Sequence, residues 1–142
     1  MGRLMAVDYG TKRTGIAVSD SLQIIANGLT TVPTHKIFDF FKEYLEKEEV
    51  DCVVVGLPKT MKNEYSENMQ HIQPFVKKLQ AIYPDLKIEF YDERFTSSLA
   101  QKAMLAGGLK KKDRQNKALV DEISATIILQ DYMESLKFRN RE

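Results

Sequence analysis

The stretch MAVDYGTKRTGIAVSD, residues 5–20, holds two apolar runs joined by a short basic turn. The first run ends on one acid, Asp8. Gly10, Lys12 and Arg13 follow, and the second run opens at Gly15. Two short apolar segments around a glycine-containing turn predict paired strands. A third β-branched segment, IIANGLTTV at 24–32, extends them to an antiparallel meander that stops at Pro33. Thr34 then reads as the N-cap of a helix over about 35–47, with Ile37, Phe41, Tyr44 and Leu45 on one face.

Beyond residue 50 the pattern alternates. DCVVVGLP, 51–58, is continuously apolar, as a strand covered on both faces must be. A helix is expected over about 66–83, with Met69, Ile72, Val76, Leu79 and Tyr83 in step; Pro74 should kink or restart it. LKIEFY, 86–91, is a fifth strand that runs into DERFTSS. A short helix over about 97–106 should end at Gly107-Gly108, and a last helix should span about 117–136, leaving a tail of about 137–142 as a candidate for disorder. The class is α/β: a five-stranded mixed sheet in the order 3-2-1-4-5 with helices on both faces.

The totals are consistent with one domain. The chain has 142 residues, 43% hydrophobic and 29% charged. No apolar run approaches the ~18 residues of a membrane helix, and the N-terminus lacks a signal-peptide pattern. Cys52 is the single cysteine, so no internal disulfide forms, and a cytoplasmic setting without membrane partners is expected. Net charge is +1, but residues 102–117 carry six Lys/Arg against one Asp. Such a stretch marks either a phosphate-binding edge or a solvated loop.

The acids converge in this topology. Asp8 ends strand one, while Asp92 and Glu93 end strand five, at the sheet edge where open α/β sheets bind ligands. Asp121 shares a helical stripe with Ala125, Ile128 and Tyr132, so it faces the protein. Each acid has a plain alternative: Asp8 a turn-initiating residue, Glu93 a surface pair with Arg94, Asp121 a helix-dipole partner. Clustered carboxylates away from water need a cation, and an all-oxygen set favours Mg²⁺ or Mn²⁺ over zinc. Two such ions ~3.5–4 Å apart could clamp a phosphodiester; the sequence does not fix the ion count.

AVDYGTKRTGIAVSD, VVVGLP, DERFTS and VDEISATIILQDY, in this order and spacing, closely resemble the YqgF/RuvX family, related to the RuvC Holliday-junction resolvases. The resemblance covers nearly the whole chain. It implies an RNase H-like fold over residues 1–142 and a metal-dependent nuclease acting in 5′-end maturation of pre-16S rRNA, with resolution of branched four-way DNA as the older proposal. By position it implies Asp8, Glu93 and Asp121 as catalytic metal ligands, with Asp92 the alternative to Glu93. Resolvases place their second acid on strand four, whereas here that strand ends in Gly56-Leu57-Pro58. An acid from strand five starts about 10 Å away laterally.

For the opening stretch, this gives a ligand at Asp8, a close backbone approach at Gly10, and phosphate neutralisation by Lys12 and Arg13. Arg94, Lys110, Lys111, Lys112 and Arg114 would hold phosphates farther along, with Lys59 another candidate. Few aromatics stand among these basics, so recognition by backbone and shape is expected rather than by base stacking. The absence of a dimer signature reads toward a monomer. Two competing readings remain. DYGTKRTG also looks like the first phosphate loop of actin-like and sugar-kinase ATPases, which need a second domain. A non-catalytic RNA-binding module could keep the acids as relics.

Overall fold

The computed structural model describes residues 2–57, 69–92 and 117–141. Five strands form one sheet: β1 Arg3–Tyr9, β2 Arg13–Ser19, β3 Ala26–Pro33, β4 Val50–Leu57 and β5 Lys87–Asp92. Their order is β3-β2-β1-β4-β5, with β1–β2 and β2–β3 antiparallel and β1–β4 and β4–β5 parallel. This is the expected mixed sheet.

Strand alternation splits the core into two layers. Met5, Val7, Ile16, Val18, Val53 and Val55 face Ile37 and Phe41 of α1 (Ile37–Lys47) and Ile72, Phe75, Val76 and Leu79 of α2 (Met69–Ile82). Leu4, Ala6, Ala17, Cys52 and Val54 face Ala125, Ile128, Leu129, Tyr132 and Met133 of α3 (Lys117–Arg141). The small residues on that second face, Ala6, Gly15 and Ala17, let α3 lie close to the sheet. Full burial of each large aliphatic side chain contributes about 1.5–3 kcal/mol of transfer free energy.

Several local features differ from expectation. A 3₁₀ turn, Thr34–Lys36, precedes α1, and Thr34 makes no side-chain cap. Its hydroxyl instead donates to the Gly10 carbonyl at 2.6 Å and lies 2.9 Å from the Thr14 hydroxyl, while its N–H reaches the Lys12 carbonyl at 3.0 Å. Tertiary bonds to the β1–β2 turn have displaced a local cap. β3 begins at Ala26 rather than Ile24, because Asp20 draws the Leu22, Ile24 and Ile25 amides into a loop. Pro33 is the last residue of β3, at the sheet edge, where its missing N–H costs no ladder bond. α2 continues through the exposed Pro74 without restarting, and α3 runs to Arg141, five residues past the expected end. The start expected for α2 near 66 and the helix expected over 97–106 lie outside the described residues.

Candidate active site

Asp8 is the next-to-last residue of β1 and occupies the α3 side of the sheet, in phase with Leu4 and Ala6. Its register partner across the antiparallel pair is Gly15. A Cβ built on Gly15 would collide with the carbonyl group of Asp121 and stand 3.0 Å from the Glu122 nitrogen. Because Gly15 has no side chain, the first turns of α3 settle on β2, and Asp121 comes within electrostatic range of Asp8. Burial of its carboxyl, followed by the charge of Asp121, pushes the Asp8 pKa from 3.8 up to about 7.

Arg13 completes the group. Its Nε donates to Asp121 Oδ2 at 3.1 Å, with both side chains half-buried. One basic residue of the turn thus lies against a site carboxylate while staying partly exposed. Lys12 is exposed at the turn. Gly10 closes that turn tightly: a Cβ there would strike the Arg13 carbonyl oxygen. The side chain of Glu122 lies over Gly28 of β3.

Sheet register separates the two strand-five candidates. Asp92 pairs with Leu57 and is in phase with Ile88, which packs in the α1–α2 layer; Tyr91 packs in the α3 layer with Asp8's side of the sheet. The backbone position of Asp92 therefore belongs to the face opposite Asp8. Glu93, Lys59, Arg94, Lys110, Lys111, Lys112 and Arg114 lie outside the described residues. Among the described residues no group of three or more metal-ligating side chains meets.

The donor set on this edge is nevertheless suited to a hard cation. Asp8 and Asp121 are like charges brought together in a desolvated place, and each supplies only oxygen. The two histidines, His35 and His71, line a cavity with α1 and α2, on the opposite layer. Cys52 is buried under α3, its thiol within reach of Tyr132.

Residues 2–135 match the family model described as RuvX, Holliday junction resolvase. A Phocaeicola vulgatus protein is 67% identical over 138 residues, covering 97% of this chain and 99% of its own. The chain belongs to the RuvX family. RuvX relatives from Bacteroides thetaiotaomicron (64% identical, 97% of this chain, 100% of its own) and Porphyromonas gingivalis (53%, 95% and 98%) carry the same name as the first, "Putative pre-16S rRNA nuclease". Among solved structures, T. thermophilus RuvC in complex with a Holliday junction substrate aligns with TM-score 0.55 at 18% identity. The match covers 95% of this chain and 96% of that one, and it shows that the RuvX chain shares the RuvC, RNase H-like fold. No helix among the described residues is long and apolar enough to cross a membrane.

Proposed function

We propose that this RuvX protein is a divalent-metal-dependent nuclease that hydrolyses phosphodiester bonds in pre-16S rRNA. The observation that carries the reading is the Asp8–Asp121 pair, two oxygen-donor acids forced together at the C-terminal edge of β1. The names of relatives at 53–67% identity support the RNA substrate over the four-way junction.

Asp8 and Asp121 would hold Mg²⁺ or Mn²⁺, with Glu93 as the third carboxylate; the backbone position of Asp92 belongs to the face opposite Asp8, which speaks against Asp92 in that role. When bound, the cation neutralises charge on the phosphate and lowers the pKa of water. Gly10 keeps the turn compact so that a phosphate can approach the backbone. Lys12, exposed beside it, neutralises a phosphate of the bound strand. Arg13 balances Asp121 before substrate arrives and is near enough to the site to turn to a phosphate afterwards. Lys59, Arg94, Lys110, Lys111, Lys112 and Arg114 are the further candidates for phosphate contacts.

Cleavage of a 5′-extended 16S precursor and of a four-way DNA junction, in Mg²⁺ or Mn²⁺, tests this reading. Wild type should cut the RNA, and Asp8→Asn should bind it without cutting. Full cleavage by Asp8→Asn removes the ligand role. Paired symmetric cuts in the junction alone replace the RNA substrate by branched DNA.

A further inference from the structure

Asp8 and Tyr9 are consecutive and lie on opposite faces of the sheet. Tyr9 opens onto a cavity of about 410 Å³ between the end of β1, the start of α1 and α2 from Gln70 to Lys78. The size falls within the range of small-molecule sites. Its chemistry is mixed in a particular way. Tyr9 stacks on Phe75 with ring centroids 4.7 Å apart, and Phe38 meets Phe75 at 5.7 Å. Phe75 is buried beneath, whereas Tyr9 and Phe38 stay half-exposed. Lys78 Nζ stands 4.5 Å from the centre of the Phe38 ring, and exposed His35 and His71 complete the rim.

An aromatic floor with a cationic and imidazole rim matches a planar base attached to a phosphate. The wall nearest the acids is Thr34, bonded to Gly10 and Lys12 of the turn beside Asp8. Asp8 and Tyr9 are adjacent at the same end of β1, so a strand with a phosphate at Asp8 would pass over that end of the sheet to reach the cavity on the other face. We propose that this cavity is a nucleotide subsite: it receives a splayed-out base of single-stranded RNA flanking the cleaved bond, on Tyr9 and Phe38, with the adjoining phosphate held by Lys78, His35 and His71. The subsite rests on the nuclease reading for its substrate. The sequence hid it, because its aromatics and basics come from three segments and meet only in the fold.

The test is binding of a labelled single-stranded RNA spanning the cleavage site to the full chain in EDTA, where cleavage is off. The His71→Ala/Lys78→Ala variant changes exposed residues only, and Lys77→Ala, on the same helix but outside the cavity lining, is the control. The double variant should weaken binding about tenfold and flatten the salt dependence by about 0.7 in log–log slope per lost phosphate contact. Phe38→Leu keeps an apolar side chain while removing the ring; it should weaken intact RNA but not RNA with an abasic site at the subsite nucleotide. Cavity variants that bind like Lys77→Ala overturn the subsite. A subsite with the expected binding losses, but no cleavage by wild type in Mg²⁺, keeps the subsite and removes the nuclease. Wild-type cleavage with unaffected cavity variants does the reverse.

Discussion

Gly15 bears the main chain of Asp121: the space a Cβ would need on Gly15 is filled by the Asp121 carbonyl group. Since Gly15 is also the register partner of Asp8, one missing side chain sets the separation of the two acids. Gly15→Ala should force α3 off the sheet, because backbone cannot rotate away. The expected cost is about 1–3 kcal/mol, typical of overpacking, with cleavage at least about tenfold slower. Gly28→Ala is the contrast. There the Cβ meets only the Glu122 side chain, 2.5 to 3.0 Å away, which can swing aside. Urea unfolding of both variants beside wild type checks this; equal costs would mean that α3 has room to spare at Gly15.

The raised pKa of Asp8 makes a prediction about stability without metal. Its folded-state value, about 7, exceeds the 3.8 of the unfolded chain. Between those values the folded protein holds a proton that the unfolded chain releases, so stability falls as pH rises and the penalty is complete above about 7. Asp8→Asn carries no such penalty. In EDTA it should melt higher than wild type at pH 8, with the advantage gone near pH 4. Added Mg²⁺ should raise the wild-type Tm at pH 8 and leave Asp8→Asn nearly unmoved. A wild-type advantage at pH 8 in EDTA would show that burial and the charge of Asp121 do not weigh on the Asp8 carboxylate.

Sheet order, helix faces and the Asp8–Asp121 encounter were legible because they follow from periodicity and connection rules. Ala125, Ile128 and Tyr132 are buried in the stripe that placed Asp121 inward. What escaped was decided by tertiary bonds between distant segments. Thr34 looked like a helix cap, yet its hydroxyl serves Gly10 and Thr14. The sequence offered Arg13 for phosphate neutralisation but gave no sign that its guanidinium reaches a carboxylate 108 residues away. The face to which the backbone position of Asp92 belongs depends on a one-residue phase in β5, which composition cannot fix. The aromatic cavity combines Tyr9, Phe38 and Phe75 from three elements.

The loop after β2 is held by one carboxylate. Asp20 Oδ1 accepts the Ile24 and Ile25 amides at 2.7 and 2.8 Å, and Oδ2 accepts Leu22 at 3.2 Å. The Ile25 bond, then that of Ile24, holds the Asp20 pKa below 3.8. A depressed carboxylate stabilises the fold above its unfolded pKa and loses that contribution as pH falls through the folded value. Asp20→Ala should therefore lower the Tm at pH 7, with the gap closing as pH falls below the ordinary carboxylate value of 3.8. Asp20→Asn, which keeps an acceptor, should lie between them. A gap independent of pH would show that packing, not charge, anchors the loop.

Arg13 gives the sharpest separation between structural and substrate roles. Its ion pair with Asp121 is half-exposed, with side chains 39% and 26% accessible. Its removal should therefore cost less than about 1 kcal/mol in metal-free protein. That guanidinium also reduces the pull of Asp121 on a second cation. Arg13→Ala should then bind Mg²⁺ a few-fold more tightly in the absence of RNA, because the carboxylate has lost one cationic neighbour. RNA binding should move the other way, with a smaller salt slope, because a nearby phosphate partner is gone. Calorimetric Mg²⁺ titration and RNA binding on one preparation separate these effects. Weaker Mg²⁺ binding by Arg13→Ala would instead make Arg13 the residue that orients Asp121 toward the cation, and Arg13→Lys would then fail to restore it, since an ammonium cannot reproduce the directed Nε–H bond.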